Sequence, residues 1–226
     1  MKLSLLPLLT LAVLLSACEK QPSQPTFSMQ WLTAEPDTGQ IINAEVWQQV
    51  SLHEGFDAHW SGKQDETKFQ CYLSPHYFYF KFQVPEQTLT LKEPFEKKLD
   101  VCNEDRAEIF LSATPDMHTY YCMEMDPKGR ALDYVTNYYR KYDYNWAFHS
   151  LQMETSILDN SYIVAGRLST AEMLQLGIPL DEFYMGVFRA DFDGPEQVVW
   201  YSLLKTQRQQ ADFHIPEMLF KVTVQS

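Results

Sequence analysis

Residues 68–84 read KFQCYLSPHYFYFKFQV, and this stretch decides the fold. From 77 to 84 every even position (Phe78, Phe80, Phe82, Val84) is apolar, while Lys81 and Gln83 mark the other face. Strand side chains alternate between two faces, so this is the pattern of a strand with one face in a core. Just before it, Phe69, Cys71 and Leu73 alternate with Lys68, Gln70 and Tyr72. Ser74-Pro75-His76 separates the two runs, and together they predict a β-hairpin.

Further strands are predicted at 44–50, 106–111, 119–126, 131–135, 150–155, 162–168, 183–189 and 219–224. Asp126-Pro127-Lys128-Gly129 supplies a turn between two of them. One short helix is predicted after Ser169. Ser169-Thr170-Ala171-Glu172 can cap it, Met173, Leu174 and Leu176 give it an apolar stripe, and Gly177 with Pro179 ends it. Many short strands and one helix predict an all-β fold, an antiparallel β-sandwich of the jelly-roll kind. No repeat, low-complexity tract or second linker interrupts residues 31–226, which read as one domain.

Aromatic residues make up 14% of the chain, which suits β-structure and ring-lined binding surfaces. The net charge of −12 argues against nucleic acid as a partner, because phosphates need a basic face. Neutral ligands such as sugars remain open.

The chain opens MKLSLLPLLTLAVLLSAC. Lys2 precedes an apolar run from Leu3 to Leu15, too short to span a bilayer but long enough for a signal peptide. Leu15-Ser16-Ala17-Cys18 resembles the lipobox of bacterial lipoproteins. That resemblance implies removal of residues 1–17, lipidation of Cys18, and a membrane partner held through the N-terminal lipid. Glu19 follows the cysteine, and outer membrane is favoured over inner membrane as the final location. Residues 18–30 read as the lipidated cysteine and a flexible tether.

Cys71, Cys102 and Cys122 follow Cys18. The envelope permits disulfides, so one pair, Cys102 with Cys122, or three free thiols are the alternatives. No zinc spacing is present, and neither a metal nor a cofactor is expected. His53, His59, His76, His118, His149 and His214 are scattered. Glu104, Asp105 and Glu108 lie close to Glu124 and Asp126 on the predicted neighbouring strand, but a glycosidase needs two carboxyls facing one bond across a cleft. There is no nucleophile elbow or phosphate loop, so an enzyme is not expected. Trp60, Trp146, Trp200 and the tyrosine-rich 134–144 run could stack on sugar rings.

Six segments in order resemble the family 9 carbohydrate-binding modules and their relatives among the DOMON-like sandwiches. They are Ala44–Val50, Tyr77–Phe80, Glu104–Leu111, Tyr120–Gly129, Gly186–Asp191 and Phe213–Glu217 with the final strand. The resemblance implies non-catalytic binding of a saccharide or a glycosylated partner, often beside a glycoside hydrolase. It assigns the site to Glu108, Glu124 and Arg189, with Phe213 at one position of the family's tryptophan clamp. Cys102 lies near the other, so neither clamp position is tryptophan here. Trp146 or Trp200 would supply the missing ring. Two other roles compete: a protein-interaction or assembly module, and a haem domain with Met123 or Met125 and His214 as ligands.

Overall fold

The computed structural model describes residues 24–58, 63–194, 197–206, 208 and 210–225. Cys18 and the apolar run before it, His59 and Trp60 lie outside the described residues. The strands are β1 (Thr26–Trp31), β2 (Phe56–Ala58), β3 (Lys63–Asp65), β4 (Lys68–Leu73), β5 (Tyr77–Pro85), β6 (Arg106–Ser112) and β7 (Thr119–Met125). They continue with β8 (Ala131–Asn137), β9 (Lys141–Asp143), β10 (Gln152–Leu158) and β11 (Ser161–Ser169). Helix α1 (Thr170–Gln175) comes next, then β12 (Glu182–Phe192), β13 (Val198–Ser202) and β14 (Phe220–Gln225).

One curled sheet runs in the order β10-β11-β5-β4-β1-β14-β12-β6-β7-β8-β9, with β13, β2 and β3 branching from β12. Its two halves face each other across an apolar core, giving the sandwich-like all-β fold expected. The deciding hairpin is present: Phe69 pairs with Phe82, Cys71 with Phe80 and Leu73 with Phe78. These residues meet Ile109, Leu111, Met123 and Val187 from the other half in the same cluster. Gly166 of β11 is required by this packing, because a Cβ there would lie 2.6 Å from the Phe80 ring and 2.6 Å from the Gln152 carbonyl oxygen. Helix α1 forms where expected, with the Ser169 hydroxyl accepting from the Ala171 amide at 3.2 Å.

Three expectations need amendment. The sheet is mixed rather than wholly antiparallel, because β1 lies parallel to both β4 and β14. The tether does not extend to residue 30: Phe27 and Met29 point into the core, so strand structure begins at Thr26. Residues 44–50 are not a strand but contain a 3-10 turn over Glu45–Gln48. Val46, Trp47 and Val50 are buried together there, the i, i+1, i+4 spacing of one helical face rather than an alternation. Of the two alternatives for the thiols, the structure shows free Cys71, Cys102 and Cys122.

Each half also has an outer face covered by non-strand chain. On one, Tyr72 and Tyr79 stack at 4.8 Å beneath Ile41 and Trp47. On the other, Phe110, Tyr120, Cys122, Tyr134 and Phe188 are covered by Val101 and by the segment carrying Phe213, Ile215 and Met218. This second covering leaves an opening onto the buried charges Arg106, Glu108 and Glu124.

Candidate functional site

Alternation along β6 sends Ala107, Ile109 and Leu111 into the central core and Arg106, Glu108 and Phe110 to the outer face. Register then assembles a polar floor. Glu108 lies opposite Glu124 of β7 and Phe188 of β12. Ala190 lies opposite both Arg106 and Trp200. A cavity of about 250 Å³ opens above this floor. Tyr134, Tyr142 and Tyr144 line one side, and Trp200, Phe213 and His214 line another. Cys102, Arg140 and Asp212 complete the rim.

The floor is almost fully buried, with Glu108 at 1%, Arg106 at 4% and Glu124 at 5% exposure. Arg106 Nε lies 2.9 Å from Glu108 Oε1 and 2.7 Å from Glu124 Oε2. These are ion-pair contacts in which neither carboxylate oxygen, nor the nitrogen, completes an aligned hydrogen bond. Arg106 Nη1 donates to the Cys102 carbonyl at 2.9 Å, and the guanidinium lies 5.3 Å from the centre of the Trp200 ring. The Tyr134 hydroxyl donates to Glu124 Oε1 at 2.7 Å. Buried polar groups without aligned partners are uncommon and costly, and Arg106 Nε, Glu108 Oε1 and Glu124 Oε2 are closed off from solvent beneath the cavity.

Burial, reinforced by the Glu124 charge and opposed by Arg106, pushes the Glu108 carboxyl up to about 8. A proton taken up there would let the carboxyl donate one hydrogen bond as well as accept others. Burial and then the Arg140 charge push His214 down to about 3, so its ring is neutral. Its Nδ1 lies 2.9 Å from the Tyr120 hydroxyl. Burial, with Glu124 next, raises the Cys102 thiol to about 11 and keeps it protonated. The walls are aromatic: Phe213 stacks on Phe188 at 4.1 Å and meets Trp200 edge-on at 5.5 Å, while Tyr142 stacks on Tyr144 at 5.3 Å. Arg140 ties the two walls, donating to Asp212 at 2.6 Å and to the Tyr142 hydroxyl at 3.0 Å.

The structure brings Glu108, Glu124 and Phe213 together in this cavity with Trp200, one of the two expected sources of the missing ring. It separates two other expected residues from it. Arg189 falls between Phe188 and Ala190, so its side chain leaves the sheet on the opposite face. There it pairs with Asp65, Glu86 and Asp191. Trp146 packs on Tyr121 at 5.3 Å and Phe148 at 4.7 Å, against the central core. Arg106, not Arg189, is the cation beside Glu108. Its i, i+2 spacing from Glu108 was the signal in the sequence, since two residues apart on a strand share a face.

Among the described residues one carboxylate group has metal-ligand spacing: Glu86, Asp105 and Asp191 present oxygens within 4.8 Å of one another. Asp105 already accepts from the Phe192 and Thr90 amides, and Glu86 from Arg189. The haem ligand pairing fails on geometry. Met123 and Met125 face the central core, whereas His214 lies in the outer cavity, so the sheet stands between them.

No protein-family model and no curated protein sequence matches the chain. Solved structures do. A protein of Bacteroides uniformis ATCC 8492, named as a candidate carbohydrate-binding protein, superposes with a TM-score of 0.73 at 14% identity, covering 90% of this chain and all of that one. A family 9 carbohydrate-binding module from Caldicellulosiruptor kristjanssonii, in complex with glucose, matches with a TM-score of 0.58 at 13% identity over 88% of this chain and 95% of that one. The module in complex with cellotriose gives 0.58 at 14% identity, covering 88% and 93%. The chain therefore shares the fold of carbohydrate-binding modules.

Proposed function

We propose that this chain is a non-catalytic saccharide-binding domain of a cell-envelope lipoprotein. The cavity over Arg106, Glu108 and Glu124 carries the reading. A sugar presents an apolar C–H face and a rim of hydroxyls that both donate and accept. The cavity matches both: aromatic walls for the first, and carboxyl and guanidinium groups of Glu108, Glu124 and Arg106 in its lining for the second. The Glu108 and Glu124 carboxyls beside the Arg106 guanidinium give a paired donor and acceptor set suited to a neutral ligand. The two carboxyls lie side by side on one floor, tied to the same Arg106 nitrogen, so they do not face each other across a scissile bond.

Glucose and cellotriose, the sugars bound by the structural neighbours, belong to this class of ligand. The lipobox-like Leu15-Ser16-Ala17-Cys18 supports lipidation of Cys18, and Glu19 after it, in place of an inner-membrane-retaining aspartate, favours the outer membrane. Among the described residues no helix is long and apolar enough to cross a membrane.

A glycan array followed by calorimetry tests the binding role. The wild type should retain at least one neutral glycan, and Trp200→Ala should weaken it about tenfold, as loss of one ring face would. A wild type that retains no glycan, yet whose Tyr142→Ala variant loses a protein partner, would make the fold an assembly module instead. Metabolic labelling with palmitate tests the anchor: Cys18→Ala should abolish incorporation and release the chain from the membrane fraction.

A further inference from the structure

The outer cavity does not end at its rim. Arg140 and Asp212 form a wall shared with a second, more open depression of about 440 Å³, which Tyr139 also lines. Tyr139 belongs to the turn between β8 and β9, where Arg140 adopts a left-handed backbone with φ 58°. A non-glycine residue there is uncommon and points to a reason for keeping its side chain. The reason is visible. Arg140 bridges Asp212 and Tyr142, and its guanidinium lies 5.1 Å from the centre of the Tyr139 ring. The Tyr139 hydroxyl donates to the second Asp212 oxygen at 2.5 Å. Both ends of the tyrosine are thus fixed, yet 46% of its surface is open to solvent.

We propose that Tyr139, Arg140 and Asp212 form a second sugar subsite, so that the ligand is a neutral oligosaccharide of at least two residues. This rests on the saccharide reading of the first cavity. One sugar lies over Glu108 and Glu124. The next crosses the Arg140–Asp212 wall, where a guanidinium and a carboxylate offer a paired donor and acceptor to its hydroxyls, and packs on the exposed part of the Tyr139 ring. Holding the ring in advance limits the ordering cost of binding. Arg208 beside it is paired with Glu217 at 2.8 Å, so the depression carries little net charge for an anionic substituent.

The test uses an array with mono-, di- and trisaccharide members of matched series, then calorimetry on the series retained. Disaccharide should bind about tenfold more tightly than monosaccharide, and Tyr139→Ala should erase that gain while leaving monosaccharide affinity unchanged. Tyr139→Phe should keep most of the gain, because it retains the ring. Equal affinity for mono- and disaccharide overturns the subsite but leaves the first cavity's reading intact. Equal weakening of both sugars by Tyr139→Ala, or a Phe variant as poor as Ala, also overturns it, since Tyr139 would then act only by holding Asp212. Failure of the wild type to bind any glycan removes both readings together.

Discussion

The two outer faces of the sheet each bury an arginine, and they treat it differently. On the face under Trp47, each nitrogen of Arg167 has a partner: Nε donates to Gln152 at 2.7 Å, Nη1 to the Pro36 carbonyl at 3.1 Å, and Nη2 to Thr38 at 3.2 Å. Its guanidinium also lies 4.2 Å from the Tyr77 ring centre. On the face with the cavity, Arg106 Nε sits between two carboxylates without one aligned hydrogen bond. A face built for stability completes its polar contacts internally. On the proposed function, the contacts left unmet around Arg106 mark the face that takes the ligand.

Substitutions can break that contrast. The largest effect is expected for Arg106→Met, which would strand Glu108 and Glu124 in a buried site. It should cost about 3–5 kcal/mol in denaturant unfolding. Arg167→Met leaves mainly neutral acceptors behind and should cost less, about 1–3 kcal/mol. If the two cost the same, the distinction between the faces fails.

The smallest effect sharpens the contrast through pH. Burial raises the Glu108 pKa in the folded protein above its unfolded value, so the folded state binds the extra proton. That stabilisation is complete below the unfolded carboxylate range and is lost as pH rises towards about 8. Asp105 and Asp191, pushed to about 6 by burial, and Glu104, pushed to about 7 by burial, act in the same direction at the lower end of that window. Tm should therefore fall from pH 5 to pH 8, and Glu108→Gln should flatten the upper part of the decline. An unchanged slope would show that Glu108 is ionised in the fold.

Strand parity made most of the fold legible. Phe78, Phe80, Phe82 and Val84 alternate strictly because one face of β5 lies in the core. Parity also shows where the sequence reading of the site failed. Glu108 and Glu124 share a face with Phe188 across the sheet, so Arg189 next to Phe188 could not join them. No local pattern could bring Phe213 and Trp200 to Glu108, since register across β12 and β13 and the packing of Phe213, Ile215 and Met218 decide it. β1 was missed for another reason. Phe27 and Met29 give only two inward positions, amid polar residues, and the strand gains its place from neighbours at residues 72–73 and 221–225.

That strand has a mechanical consequence. It lies between two parallel partners, and the Pro25 carbonyl just before it accepts from Lys221 at 2.9 Å. On the proposed lipid anchor, the span from Cys18 to Thr26 can reach at most about 30 Å. The binding domain is thereby leashed close to the lipid surface. A glycan pulled away from that surface would load β1 along its length. The hydrogen bonds on its flanks would share the force in shear rather than open one after another.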